Sequence, residues 1–148
     1  MIIDTLKTLF KRDLEKLKTE IELYKNEKNI WLIDKSISNS AGNLCLHIIG
    51  NLNAYIGVGL AKTSYIRRRD LEFSLKHIPR TKILSQITDT IQIVENGLDN
   101  LTLSQITDDF PIVIWDKPTE MEYTLTHLLT HLNHHLGQIN YHRRLLDK

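Results

Sequence analysis

Apolar residues recur at three- and four-residue steps in four separate stretches of this chain, and that period commits most of it to amphipathic helix. In the first stretch, about residues 2–26, Ile3, Leu6, Phe10, Leu14, Leu17, Ile21 and Tyr24 share one face. The second, about 40–61, follows the polar run DKSISNSAGN and is rich in apolar residues, yet it carries Gly50, Gly57 and Gly59. Glycine weakens a helix, so these three are expected to mark close packing or a frayed end. The third, about 79–99, keeps Ile83, Ile87, Ile91, Val94 and Leu98 in register until ENGLDN stops or kinks it. The fourth, about 119–146, follows Pro118, with Thr119 and Glu122 at capping-box spacing.

Two long connections separate these stretches, KTSYIRRRDLEFSLKHIP before the third and LTLSQITDDFPIVIWDKP before the fourth. PIVIW is expected to be extended, as a short strand or a rigid strap. The hexapeptide LSQITD occurs at 84–89 and 103–108, too short and isolated to signal a repeat architecture. Four long helices with long crossovers predict an all-α four-helix bundle, a single domain over residues 1–148. Nineteen basic against 18 acidic residues leave a net charge of +1, which gives no electrostatic case for nucleic acid or an anionic membrane. Cys45 stands alone, so no internal disulfide forms. No stretch is long and apolar enough to span a bilayer. The expected setting is the cytoplasm.

The segment THLLTHLNHHLGQIN holds four of the seven histidines. At about 100° per residue, Met121, Leu125, Leu128, Leu132, Leu136 and Ile139 define the apolar face. His135 borders it and His131 sits one turn earlier, while His127 and His134 lie farther out. Two imidazoles at i and i+4 can point at one ion. They can equally form a hydrogen-bonded structural pair or face water. A metal needs a third ligand, and His47 in the second helix is the candidate, with a satisfied core histidine as the plain alternative. There is no H-E-x-x-H, E-x-x-H, C-x-x-C, G-x-S-x-G or phosphate-binding glycine loop. Any chemistry would rest on one ion held by neutral imidazoles, able to polarise a bound water or thiol.

The lone histidine of the second helix and HLNHHLGQI in the fourth resemble the DinB-like (DinB/YfiT-like) superfamily. His131, His135 and the following Gly137, Gln138 and Ile139 carry the resemblance. GNL after His47 and RRRDLEF in the crossover extend it over nearly the whole chain. It implies a bundle of that superfamily's crossover topology, with a divalent metal on His47, His131 and His135, and many relatives are homodimers. Zinc, nickel, manganese, iron or cobalt would suit such a site. Related proteins are metal-dependent transferases of low-molecular-weight thiols, so the expected function is conjugation of such a thiol to an electrophile. A non-catalytic structural or metal-binding dimer and a metal-dependent hydrolase are the alternatives.

Around that site Asn51, one turn beyond His47, and Tyr55, one turn further, are candidates to line a pocket. His127, His134 and Gln138 are candidates to support the ligands or face solvent. Arg67, Arg68 and Arg69 either contact an anionic substrate or form a solvated charge run answered by Asp70 and Glu72. Gly137 is expected to leave room for close helix approach. Cys45 reads as a small buried hydrophobe, and Trp31 and Trp115 as core or dimer-contact aromatics.

Overall fold

The computed structural model describes residues 1–148, and its regular elements are all helical. There are five α-helices: α1 (Ile2–Leu23), α2 (Ala41–Leu52), α3 (Arg69–Ser74), α4 (Arg80–Asp99) and α5 (Met121–Leu146). Four of them are the four predicted stretches. The fifth, α3, lies in a crossover that the periodicity left without structure. The four long helices share one core, with α1 against α4 and α5, and α2 against the same two. The expected stripes supply that core: Leu6, Phe10, Leu14, Leu17 and Ile21 from α1, Ile83, Ile87, Val94 and Leu98 from α4, and Leu125 to Ile139 from α5. No helix is long and apolar enough to cross a membrane.

Helix α2 is the central element. All 12 of its residues are buried, because α4, α5, α3 and the 3-10 turn Glu27–Trp31 surround it. A helix covered on every side has no use for a polar face, which explains its apolar composition. It ends in a π-turn at Asn53–Gly57 before the chain leaves the helix near Gly59. The predicted single helix over 40–61 is therefore interrupted by one wider turn, of the kind that often marks functional sites. Within α2, Gly42 receives the Trp31 ring, which stands 2.6 Å from where a Cβ would lie. Trp31 is thus a core residue, as expected.

Two sequence expectations need correction. PIVIW forms no strand: the chain bends at 111–112 and again at 115–117, with Ile112 and Ile114 packed against the core. The bridge nearby pairs Asp109 with Glu120 instead. The same bridge starts α5: Phe110 N–H donates to Thr119 O at 2.8 Å and Met121 N–H to Asp108 O at 2.8 Å. The helix begins one residue past Glu120, so the Thr119–Glu122 capping box does not form.

The end of α5 is tied to the end of α1. Asp147 accepts the backbone N–H groups of Lys25 (2.6 Å) and Asn26 (3.2 Å) and the Asn29 amide (2.9 Å), all ahead of or within the 3-10 turn. Beside it Tyr24 O–H donates to His142 Nδ1 at 2.6 Å, and His142 Nε2–H donates to Leu32 O at 2.9 Å. His142 is a satisfied core histidine. Asp147→Ala is expected to lower stability by about 1 kcal/mol, the usual worth of a side-chain cap. Chemical melts should show it, with no change in the ability to bind a metal.

Candidate metal centre

Helices α2 and α5 pack directly, and their contact brings three imidazoles together. His47 Nε2 lies 3.1 Å from His131 Nε2, and His135 Nε2 lies 3.2 Å from the same atom. The three nitrogens all lie within 4.8 Å of one another. The i, i+4 pair on α5 sits half-buried at the margin of the apolar face, where its phase placed it. His47 is buried.

The outer ring nitrogens decide what the inner ones carry. His47 Nδ1–H donates to Glu72 Oε1 at 3.0 Å, and His135 Nδ1–H donates to the Gln138 amide oxygen at 2.7 Å. Arg67 holds the same carboxylate through Nε (2.9 Å) and Nη2 (3.0 Å). Burial pushes the Glu72 pKa up, but the hydrogen bonds from His47 and Arg67 and their charges outweigh it, so the net shift is downward. An ionised Glu72 requires the His47 proton on Nδ1. In neutral rings the Nε2 atoms of His47 and His135 then present lone pairs. Both face His131 Nε2, which carries at most one proton and cannot satisfy two acceptors. Three converging nitrogens short of protons fit a cation. Two nitrogens about 2.0–2.1 Å from a tetrahedral ion stand about 3.4 Å apart, close to the separations seen.

The two rings on α5 are also held neutral, the form that binds metal. Burial, then repulsion from His135 and His47, lowers the His131 pKa to about 4. Burial likewise lowers that of His135. Both folded-state values lie below the ordinary 6.5. The folded state thus resists protons that the unfolded chain accepts. The metal-free protein is expected to keep its full contribution from these groups above pH 6.5 and to lose it as pH falls toward about 4. Urea melts across that window would show a falling midpoint; a rising one would contradict the assignment.

Glu72 was not singled out from the sequence as part of the site. In sequence it is only a partner for the arginine run in a solvated loop, yet it is 5% exposed. It reaches the site because α3 docks on α2. Asn43, His47 and Gly50 lie at i, i+4 and i+7 and form the docking face. Asn43 Nδ2 donates to the backbone oxygens of Glu72 and Leu75, each at 2.9 Å. The Phe73 ring covers His47, with centroids 5.0 Å apart. A Cβ on Gly50 would collide with Glu72 Oε2 and lie 2.5 Å from Cδ. The legible signal was that small residue one face-step from the histidine.

The other predicted residues divide. Arg67 is committed to Glu72, Arg68 is exposed and pairs with Asp70 at 3.7 Å, and Arg69 is exposed over the Phe73 ring. The run therefore has three separate fates, and only Arg69 remains open to an anion. A cleft of about 190 Å³ opens over His47 and His131, lined by Asn51, Tyr55, Arg67, Arg69, Trp115 and His127 among others. Asn51, Tyr55 and His127 all line this cleft. His127 packs edge-on against Trp115 at 4.8 Å. Trp115 is consequently a cleft wall, not a core residue. His134 is exposed, with its ring edge-on to that of His135 at 5.2 Å between centroids. Gly137 is also exposed, and a Cβ there would meet nothing, so close helix approach does not explain it. Cys45 is fully buried, with its thiol pushed up to about 12 by burial, and no nucleophile is available there.

The model of the family described as "Protein of unknown function (DUF1572)" matches residues 2–148. No curated protein matches the chain.

Proposed function

The chain belongs to the DUF1572 family, and we propose that it is a divalent-metal-dependent transferase that joins a low-molecular-weight thiol to an electrophilic carbon. The reading takes the long helices as a four-helix bundle of DinB-like topology. One observation carries it: three Nε2 atoms converge, and two of the rings donate Nδ1–H hydrogen bonds to Glu72 and Gln138. A cation bound there supplies positive charge that lowers the pKa of a water or thiol, creating a nucleophile near neutral pH.

The chain's own residues do the rest. His47, His131 and His135 would hold the ion. Glu72 and Gln138 fix the ring tautomers and orientations. Tyr55, Ile114, Trp115 and Leu128 wall the cleft and limit water. Arg69 offers its guanidinium to an anionic cosubstrate at the rim. The reaction breaks the thiol S–H bond and forms one carbon–sulfur bond, and the proton departs with the expelled leaving group or ends on the electrophile's opened multiple bond. Metal-assisted hydrolysis is the weaker enzyme reading, because no aspartate or glutamate lines the cleft to serve as a base and Glu72 is occupied by His47 and Arg67. A dimeric state in the cytoplasm completes the proposal.

Elemental analysis of protein purified without an affinity tag tests the first requirement. About one equivalent of a transition metal per chain is expected. A thiol-consumption screen against several electrophiles then tests the chemistry. Metal-free protein at full yield would favour a structural bundle, and metal with no thiol consumption would remove the transferase reading.

A further inference from the structure

The three imidazoles divide the groove between α2 and α5 into two clefts. His47 and His131 line the one already described, with Asn51 and Tyr55 beyond His47 on α2. His135 lines the other, of about 400 Å³, with Leu44 one turn before His47 on α2 and with Gln138 and Tyr141 beyond His135 on α5. The chemistry of the two clefts differs. Arg67 and Arg69 stand in the wall of the first. Among the ten residues lining the second there is no Asp, Glu, Lys or Arg, and its apolar surface comes from Ile37, Leu44, Tyr141 and Leu145. A charged group entering it would give up water and gain no countercharge, whereas an uncharged molecule loses little. The volume falls in the usual range for a small-molecule site.

Gln138 gives this cleft its directional contact. Its side-chain oxygen accepts from His135 Nδ1–H at 2.7 Å, which turns the amide N–H groups away from the ring. Gln138 is exposed, so those N–H groups are open to a ligand. The second imidazole in the cleft, His142, has both nitrogens occupied by Tyr24 O–H and Leu32 O and offers only its ring surface. The donor fixed beside the metal centre is therefore a neutral amide, which matches a carbonyl oxygen.

We infer that this cleft takes the electrophile, as an uncharged, largely apolar molecule whose carbonyl oxygen accepts from Gln138 Nε2–H. The inference rests on the transferase reading and names the class of its second substrate. It also sorts the two substrates by charge. An anionic cosubstrate meets Arg69 on one side of the three imidazoles, the neutral electrophile lies on the other, and neither competes for the other's cleft.

The test uses 3-phenylpropionamide, 3-phenylpropionate and propylbenzene, unreactive probes of one skeleton, on the full chain with zinc added. Binding is read from the imidazole proton–nitrogen NMR signals, so no thiol and no turnover are needed. The amide is expected to shift His135 and His142, which line this cleft, and to leave His127, in the other, unmoved. It should bind about tenfold more tightly than the carboxylate. Gln138→Leu should weaken the amide about fivefold and leave propylbenzene within about twofold. Leu145→Lys puts a cation at an exposed position of the wall and should bring the carboxylate level with the amide. Zinc stoichiometry of one per chain in each variant shows that the centre is intact. Equal affinity for amide and carboxylate in wild type, shifts at His127 in place of His135 and His142, or a Gln138→Leu that weakens amide and hydrocarbon alike overturns the assignment. So does the absence of any shift with all three probes, including a cleft filled by a second copy of the chain, whose His135 and His142 signals would move on dilution instead. Each of these results leaves the transferase reading to the thiol-consumption screen. Binding as expected in a chain that consumes no thiol keeps the cleft and its ligand class and strikes the electrophile role.

Discussion

His131→Ala is expected to remove metal binding while leaving the metal-free protein about as stable as wild type. His131 Nε2 is the atom nearest both other ligand nitrogens, at 3.1 and 3.2 Å, so no pair of the remaining rings reproduces the site. The loss should exceed the roughly 10–100-fold typical of removing a partner that merely orients a ligand. Without metal, however, the third ring crowds two lone pairs around a nitrogen that satisfies one at most. Alanine relieves that conflict and gives up the packing of a half-buried ring. The two effects oppose each other, and the net change should stay within about 1 kcal/mol. With metal at about a thousand times its dissociation constant, wild type gains about 4 kcal/mol, on the order of 10 °C in Tm for a chain of this size. Thermal melts with and without added metal should therefore show a large shift in wild type and none in the variant. A variant that keeps the shift would mean that the ion binds elsewhere.

Much of this site could be read from the sequence because helical phase is local. Spacing alone separated His131 and His135 from His127 and His134, and the structure has the first two half-buried and the last two exposed. Tertiary context was harder to read. The hexapeptide LSQITD illustrates the limit: at 84–89 it is inside α4, and at 103–108 it forms the 3-10 turn Leu103–Thr107 and then leaves the helix. The first copy lies in the apolar stripe through Ile83, Ile87 and Ile91. The second follows Thr102, whose side chain and backbone make a capping box with Gln105. Identical residues obey their neighbours. Glu72 was invisible for the same reason. RRRDLEF has the composition of a solvated loop, and only the docking of α3 on Asn43, His47 and Gly50 places its carboxylate in the interior.

Gly50 gives the sharpest test of that docking. In isolation Gly50→Ala should stabilise α2 by about 1 kcal/mol through helix propensity. Here the new methyl meets the Glu72 carboxylate. That carboxylate is the end of a flexible side chain, but it is held by His47, by two nitrogens of Arg67 and by burial. Displacing it breaks a buried charged network, an effect of about 3–5 kcal/mol when one partner is lost outright and less when Arg67 moves with it. The clash should win, leaving a net loss of about 2 kcal/mol. Metal affinity should fall roughly 10–100-fold as His47 loses the acceptor on Nδ1. The second variant decides the cause. Glu72→Ala removes the atoms that the methyl would strike, and in that background Gly50→Ala should become neutral or stabilising. Such a sign change is the mark of two residues in direct contact. A Gly50→Ala penalty of the same size in both backgrounds would assign the glycine to backbone packing and detach it from the metal centre. Glu72→Gln adds the last distinction. It keeps an oxygen for His47 Nδ1–H and removes the charge, so metal affinity should fall less than in Glu72→Ala if orientation is what Glu72 contributes, and equally if the contribution is its negative charge.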